Sequence, residues 1–148
     1  MSDALVGKTI RRVMMNPLRT FLVFECADDS KVCFCTEGDC CSRSWIEHTD
    51  GVDYVKGRKV EGVSSADLHS FEAPDVDGPK AYEGPYLHPV KRGDNSFKVY
   101  STTFALDNGS RFSIEFRNQS NGYYGGNLEC VAESAVPWAE MGTLSEDI

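Results

Sequence analysis

Alternating apolar and polar residues run through most of this chain, and such alternation predicts β-strands. Residues 9–13 and 31–35 alternate in this way, and residues 18–26 are rich in Phe, Val and Leu, which is typical of a buried strand. Turn-forming residues separate the three segments. The first part of the chain is therefore predicted to form a three-stranded meander.

The second half of the chain contains a similar series of strands and turns. Residues 97–106 and 110–116 flank the sequence Asp-Asn-Gly at 107–109, which is a strong signal for a β-hairpin. Residues 58–64 precede this hairpin as another strand, and residues 128–131 are predicted to form the last one. These segments predict a second meander followed by one additional strand.

A short helix is predicted between the two meanders. Ser44 and Glu47 have the spacing of a capping box, in which both side chains satisfy backbone donors at a helix start. This helix is predicted to end at residues 50–51. A second helical turn is predicted over residues 52–55 and stops at Gly57.

A weak internal repeat relates the two meanders. Residues 5–13 resemble residues 55–63, and residues 24–34 resemble residues 104–114 at matching positions. The alternative is that two unrelated meanders share the same turn chemistry. The predicted fold is mostly β (α+β), an antiparallel sheet of about six to seven strands built from two related three-stranded meanders with one short helix between them.

The domain organisation follows from the distribution of proline and acidic residues. Residues 1–132 are predicted to form a single β-rich domain with a long loop over residues 65–94, which holds four of the six prolines. Residues 133–148 are predicted to be an acidic C-terminal tail, within which Trp138 docks on the body of the domain. The length of 148 residues fits a single ordinary globular domain.

Composition and charge exclude several classes of function. The net charge is −8, and no cluster of Lys and Arg suits duplex DNA. No apolar run approaches the roughly 18 residues of a membrane span, and the N-terminus lacks the pattern of a secretory signal. The six cysteines do not have the paired spacing of structural zinc sites. We therefore expect a cytoplasmic protein without metal or cofactor.

The first candidate segment, residues 36–45, follows the third predicted strand and leads into the predicted helix. Backbone N–H groups at a helix start favour an anion, and a cysteine there can react as a thiolate with His48 as its base. The alternative is that the cysteines pack beneath the helix while Asp39 caps it. The candidate ligand-binding residues of this segment are Asp39, Cys40, Cys41, Ser42 and Trp45.

The second candidate segment, residues 116–126, occupies the same place in the second meander. It combines several hydrogen-bond donors with two tyrosine rings and three glycines, which suits a ligand holding a ring and an anionic group. The alternative is an elaborate hairpin connection whose Tyr rings cover the sheet. The candidate ligand-binding residues of this segment are Arg117, Asn118, Ser120, Asn121, Tyr123 and Tyr124.

Residues 37–47 and 115–129, together with the opening at residues 5–10, resemble the signature of small uncharacterised proteins from bacteriophages and prophages. This family is a domain of unknown function (DUF7448), and the resemblance covers most of residues 5–131. It implies a phage context without any established chemistry.

Three functions agree with these patterns. The first is a phage-encoded accessory protein, active in counter-defence, that binds and sequesters a small anionic nucleotide-like ligand without catalysis. The second is a protein–protein inhibitor of a host defence factor that uses the acidic surfaces. The third is a small thiol-dependent or hydrolytic enzyme, although the sequence holds no common catalytic motif. The expected partners are the ligand, a host defence protein and a second copy of the chain.

Overall fold

The computed structural model describes residues 4–38, 43–72, 96–120 and 126–144. One short helix, α1, spans Val52–Val55, and two turns of 3-10 helix span Glu133–Ala135 and Trp138–Glu140. The strands are β1 (Ile10–Met15), β2 (Phe21–Cys26), β3 (Lys31–Gly38), β4 (Arg43–Asp50), β5 (Val60–Glu72), β6 (Ser96–Leu106), β7 (Arg111–Ser120), β8 (Gly126–Val131) and β9 (Gly142–Thr143).

These strands form two antiparallel sheets with the orders β8-β3-β2-β1-β9 and β4-β7-β6-β5. Each sheet contains one of the predicted meanders, β1-β2-β3 or β5-β6-β7. The strand that follows each meander joins the opposite sheet, because β4 pairs with β7 and β8 pairs with β3. The mostly β fold with two meanders and a short helix is confirmed, but the strands are divided between two sheets.

Reciprocal hydrogen bonds join the two halves where the repeat begins. The N–H of Gly7 donates to the carbonyl of Val60 at 2.8 Å, and the N–H of Gly57 donates to the carbonyl of Ile10 at 2.7 Å. Both glycines have positive φ, 86° and 76°, a conformation that Gly adopts without steric cost. The aligned positions of the repeat therefore make equivalent contacts.

The hairpin turns of the two halves also match. The N–H of Ser30 donates to Oδ1 of Asp28 at 3.0 Å, and the N–H of Ser110 donates to Oδ1 of Asn108 at 3.0 Å. A short Asx side chain that accepts from the backbone two residues later is a common turn device. This shared chemistry explains why both hairpins are recognisable in the sequence.

The core between the sheets is built on phenylalanine rings. The ring centroid of Phe24 lies 5.0 Å from that of Phe104 and 5.9 Å from those of both Phe34 and Phe112. All four side chains are completely buried. Aromatic pairs at such separations add to the free energy gained by burying their apolar area. The rings therefore hold the two meanders against each other.

The predicted helix at Ser44–Glu47 is wrong, because these residues lie in strand β4. Both capping-box side chains have other partners: the hydroxyl of Ser44 accepts from Nδ2 of Asn118, and the carboxylate of Glu47 accepts from Nε1 of Trp45. Pairing with β7 overrides the local helix signal. The helical turn predicted over residues 52–55 is confirmed as α1.

The segment over residues 65–94, predicted as a loop, is partly strand. Strand β5 continues to Glu72 and pairs with β6 along its length. The strand therefore ends just before Pro74, the first proline of this segment. Residues 73–94 lie outside the described residues.

Residues 133–144, within the segment predicted as an acidic tail, cross the outer face of the first sheet. Nε1 of Trp138 donates to the carbonyl of Glu133 at 2.9 Å, and the ammonium group of Lys31 lies 6.0 Å from the Trp138 ring centroid. Strand β9 then pairs with the end of β1. The segment covers a small apolar cluster in which Val136 packs with Met14, Val23 and Cys33.

The turn at Asp28 makes stability depend on pH. A hydrogen bond from Nζ of Lys8 at 2.6 Å and the hydrogen bonds from Ser30 hold the pKa of the Asp28 carboxyl well below its ordinary 3.8. A carboxyl with a lowered folded-state pKa stabilises the fold above the unfolded-state pKa, and this contribution is lost as the pH falls towards the folded-state pKa. We expect the free-energy difference between the wild type and Asp28→Asn to shrink as the pH is lowered below 3.8.

Urea unfolding at a series of pH values measures this difference. Asp107→Asn is the matched control, because Asp107 is an exposed carboxyl in the equivalent hairpin turn. A gap between the wild type and Asp28→Asn that stays constant down to the lowest pH would contradict the expectation.

Candidate functional site

The strand ends that flank the two candidate segments lie together at one end of the molecule. Gly38 at the end of β3 pairs with Gly126 at the start of β8, and Arg43 at the start of β4 pairs with Gln119 near the end of β7. Residues that follow paired strand ends leave a sheet side by side. The connections 39–42 and 121–125 therefore start from neighbouring positions.

Ser44 links the two sheets at this end. Its carbonyl accepts from Oγ1 of Thr36 on β3 at 3.0 Å, and its hydroxyl accepts from Nδ2 of Asn118 on β7 at 3.0 Å. Thr36 and Asn118 are both buried. A buried polar group must find a partner, so these bonds fix the crossing of β4 from one sheet to the other.

Many of the predicted ligand-binding residues belong to the connections themselves. The structure describes the backbone of Ser120 at the end of β7. The predicted residues that lie outside the described ones are Asp39, Cys40, Cys41, Ser42, Asn121, Tyr123 and Tyr124.

Arg117 lies between two carboxylates on the face of β7 that points away from the phenylalanine core. Its Nη1 is 3.8 Å from Oε1 of Glu47, and its Nη2 is 3.3 Å from Oε1 of Glu115. The side chains of Arg117 and Glu47 are only 17% and 12% exposed. These two carboxylates orient the guanidinium of Arg117.

Trp45 pairs with Arg117 across the two strands and is hydrogen-bonded to Glu47. It is 1% exposed, and its Nε1 donates to Oε2 of Glu47 at 2.7 Å. Its ring meets that of Phe97 edge to face, with centroids 6.4 Å apart. Trp45 therefore holds Glu47 in place, and its ring faces are packed within the protein.

Glu47 lies at a β-bulge in strand β4. The pairing of β4 with β7 shifts register between Ile46 and His48, so Glu47 is the additional residue of the bulge. Arg19, with a positive φ of 59°, donates from Nε to the carbonyl of Ile46 at 2.6 Å. The contributions of Arg19, Glu47 and Glu115 were missed in the sequence, because these residues come together only through long-range pairing.

The two buried cysteines, Cys26 and Cys33, are poor nucleophiles. Burial raises the pKa of the Cys33 thiol to about 11, and it also raises the pKa of Cys26. A thiol with a raised pKa stays protonated at neutral pH and reacts slowly. His48, the base that a reactive Cys40 or Cys41 would need, is exposed on β4 opposite Glu115.

A cavity of about 340 Å³ lies near the end of β1. Its walls include Asn16, Arg19, Glu140 and Leu144. In residues 4–38, 43–72, 96–120 and 126–144, no group of three or more His, Cys, Asp or Glu side chains could hold a metal ion. Within the same ranges, no helix is long and apolar enough to span a membrane.

Comparison with known proteins gives one match. The family model described as "Domain of unknown function (DUF7448)" matches residues 3–130. No curated protein and no solved structure matches the chain. The family match includes both candidate segments and both meanders, and it covers most of the sequence. The chain therefore belongs to the DUF7448 family.

Proposed function

We propose that this protein is a non-catalytic binding module of phage or prophage origin that sequesters a small anionic, nucleotide-like ligand in the host cytoplasm. The paired strand ends that flank the two candidate segments, Gly38 with Gly126 and Arg43 with Gln119, carry this proposal, because Arg117 lies two residues before Gln119 on β7. The second connection has the sequence Asn-Gly-Tyr-Tyr-Gly. Amide groups and aromatic rings of this kind suit a ligand that joins a ring to an anionic group.

Arg117 is the proposed anion-binding group. Its planar guanidinium is already oriented by Glu47 and Glu115, so little side-chain entropy is lost when a ligand binds. Glu115 is the more exposed carboxylate, at 27% against 12% for Glu47. The anionic group of the ligand displaces Glu115, while Glu47 remains hydrogen-bonded to Trp45.

This exchange makes opposite predictions for two variants. Arg117→Gln removes the charged donor, and we expect it to weaken binding by about tenfold to a hundredfold. Glu115→Gln removes the carboxylate that competes with the ligand, and we expect it to strengthen binding. Arg111→Gln is the matched control, because Arg111 is an exposed arginine at the other end of the same strand.

Native mass spectrometry of protein purified from infected cells measures the outcome. We expect a co-purified mass of a few hundred daltons in the wild type, Glu115→Gln and Arg111→Gln, and its loss in Arg117→Gln. Circular dichroism checks that each variant is folded. An apo mass in the wild type and all variants, or an equal ligand load in Arg117→Gln, would contradict the proposal. Capture of a basic host polypeptide would favour the protein–protein inhibitor.

A further inference from the structure

Beyond Val60, which is hydrogen-bonded to Gly7 and Lys8, the outer edge of β5 has no strand partner among the described residues. β5 is the last strand of its sheet, and among the described ranges β6 is the one strand that pairs with it. Ser64, Ser65 and Ala66 are exposed along this edge. An edge strand presents backbone N–H and C=O groups that another strand can pair with.

The equivalent edge in the first half of the chain already carries a strand. There, β9 pairs with Met14 and Met15 of β1. The repeat places Ser64 and Ser65 at the same positions of β5, and both strands have a register shift near their start. The fold therefore accepts an added strand at this position in one half, whereas no described strand occupies it in the other half.

The backbone of Ser65 faces the open edge. In the first half, the N–H of Leu144 donates to the carbonyl of Val13 at 2.8 Å. In an antiparallel pair, the residue two positions further along also turns its N–H and C=O towards the same neighbour, and that residue is Met15. Ser65 is its equivalent in β5, so its N–H and C=O point out of the sheet.

The sequence of residues 62–66 offers no residue of the kind that usually prevents an edge strand from pairing. Natural edges are blocked by charged residues, proline or bulges. Residues 62–66 contain neither charge nor proline, and the register shifts of β5 lie on either side of them. The other edge strand of the same sheet, β4, has its bulge at Glu47.

We propose that β5 is the interface of a homodimer, in which β5 of a second copy pairs with it antiparallel about a two-fold axis. Such an interface is self-complementary, because each copy offers the same donors and acceptors. In the register centred on Ser65, Ser64 faces Ala66 and Val63 faces Asp67, so no two like charges oppose each other. The two four-stranded sheets then form one continuous sheet.

Ser65→Pro tests the interface directly. Proline removes the N–H that points out of the sheet and leaves the hydrogen bonds between β5 and β6 in place. By sedimentation velocity over a concentration series, we expect the wild type to be dimeric. We expect Ser65→Pro to raise the dimer dissociation constant by about tenfold or more, since two symmetry-related hydrogen bonds are lost.

A charge variant provides a second test if Ser65→Pro fails to fold. Ala66→Lys places a charge on the open edge, and we expect it to weaken the dimer. Ala105→Lys is the matched control, because Ala105 is exposed on the neighbouring central strand β6 and should leave the dimer intact. A monomeric wild type, a dimer unaffected by both edge variants, or equal weakening by Ala105→Lys would overturn the proposal.

Discussion

Replacing Phe24 by Ala is expected to lower the free energy of unfolding by about 3–5 kcal/mol. The Phe24 ring is completely buried, and its centroid lies within 6 Å of three other phenylalanine centroids. Deleting it removes apolar contacts and leaves a cavity at the boundary between the two sheets. Urea unfolding followed by circular dichroism measures the change.

Phe21→Ala is the matched control for this substitution. Phe21 lies on the same strand but is only partly buried, against the smaller cluster on the outer face of the sheet. We expect it to cost clearly less than Phe24→Ala. Phe104→Ala, at the position equivalent to Phe24 in the repeat, should cost about as much as Phe24→Ala. Equal losses for Phe21→Ala and Phe24→Ala would contradict a core centred on these rings.

Gly51→Ala is expected to lower the free energy of unfolding by about 3 kcal/mol. Gly51 has a φ of +88°, and a Cβ atom added there would lie 2.3 Å from the carbonyl oxygen of Arg111. The left-handed conformation alone costs an alanine about 1–2 kcal/mol. The contact with a backbone oxygen adds to this, because either α1 or β7 must shift to relieve it.

Gly57→Ala separates the two costs. Gly57 also has positive φ, at +76°, but nothing lies within 4 Å of its added Cβ atom. We expect it to lose only the conformational part, about 1–2 kcal/mol. Thermal unfolding of both variants beside the wild type provides the comparison. A loss in Gly51→Ala no larger than that in Gly57→Ala would show that the backbone near Arg111 yields without cost.

The elements that could be predicted from the sequence are those specified by nearby residues. Both hairpins have Asx side chains that accept from the backbone two residues later, and these turns join strands that are adjacent in the chain. The short helix α1 follows Gly51 in the same local way. The exchange of β4 and β8 between sheets depends on residues about 70 positions or more apart, such as Ser44 and Asn118, and no local pattern encodes it.

In the candidate site, too, only the residues that belong to a local pattern can be predicted from the sequence. Arg117 was identified from the density of donors around it, and the structure places it in a cluster of charges. The sequence predicts its partner Glu47 to be a helix cap, because the capping box is a local pattern and the bulge in β4 is not visible in the sequence. Arg19 contributes through backbone carbonyls, which a side-chain pattern cannot indicate.

The crossing of β4 and β8 interlocks the halves of the chain. Each half gives its fourth strand to the other and receives one in return. A chain holding only one half would lack the strand that completes its sheet, and two such chains could supply it to each other as a strand-swapped pair. The arrangement seen here corresponds to such a pair joined into one polypeptide, so we expect its halves to unfold together in one cooperative transition.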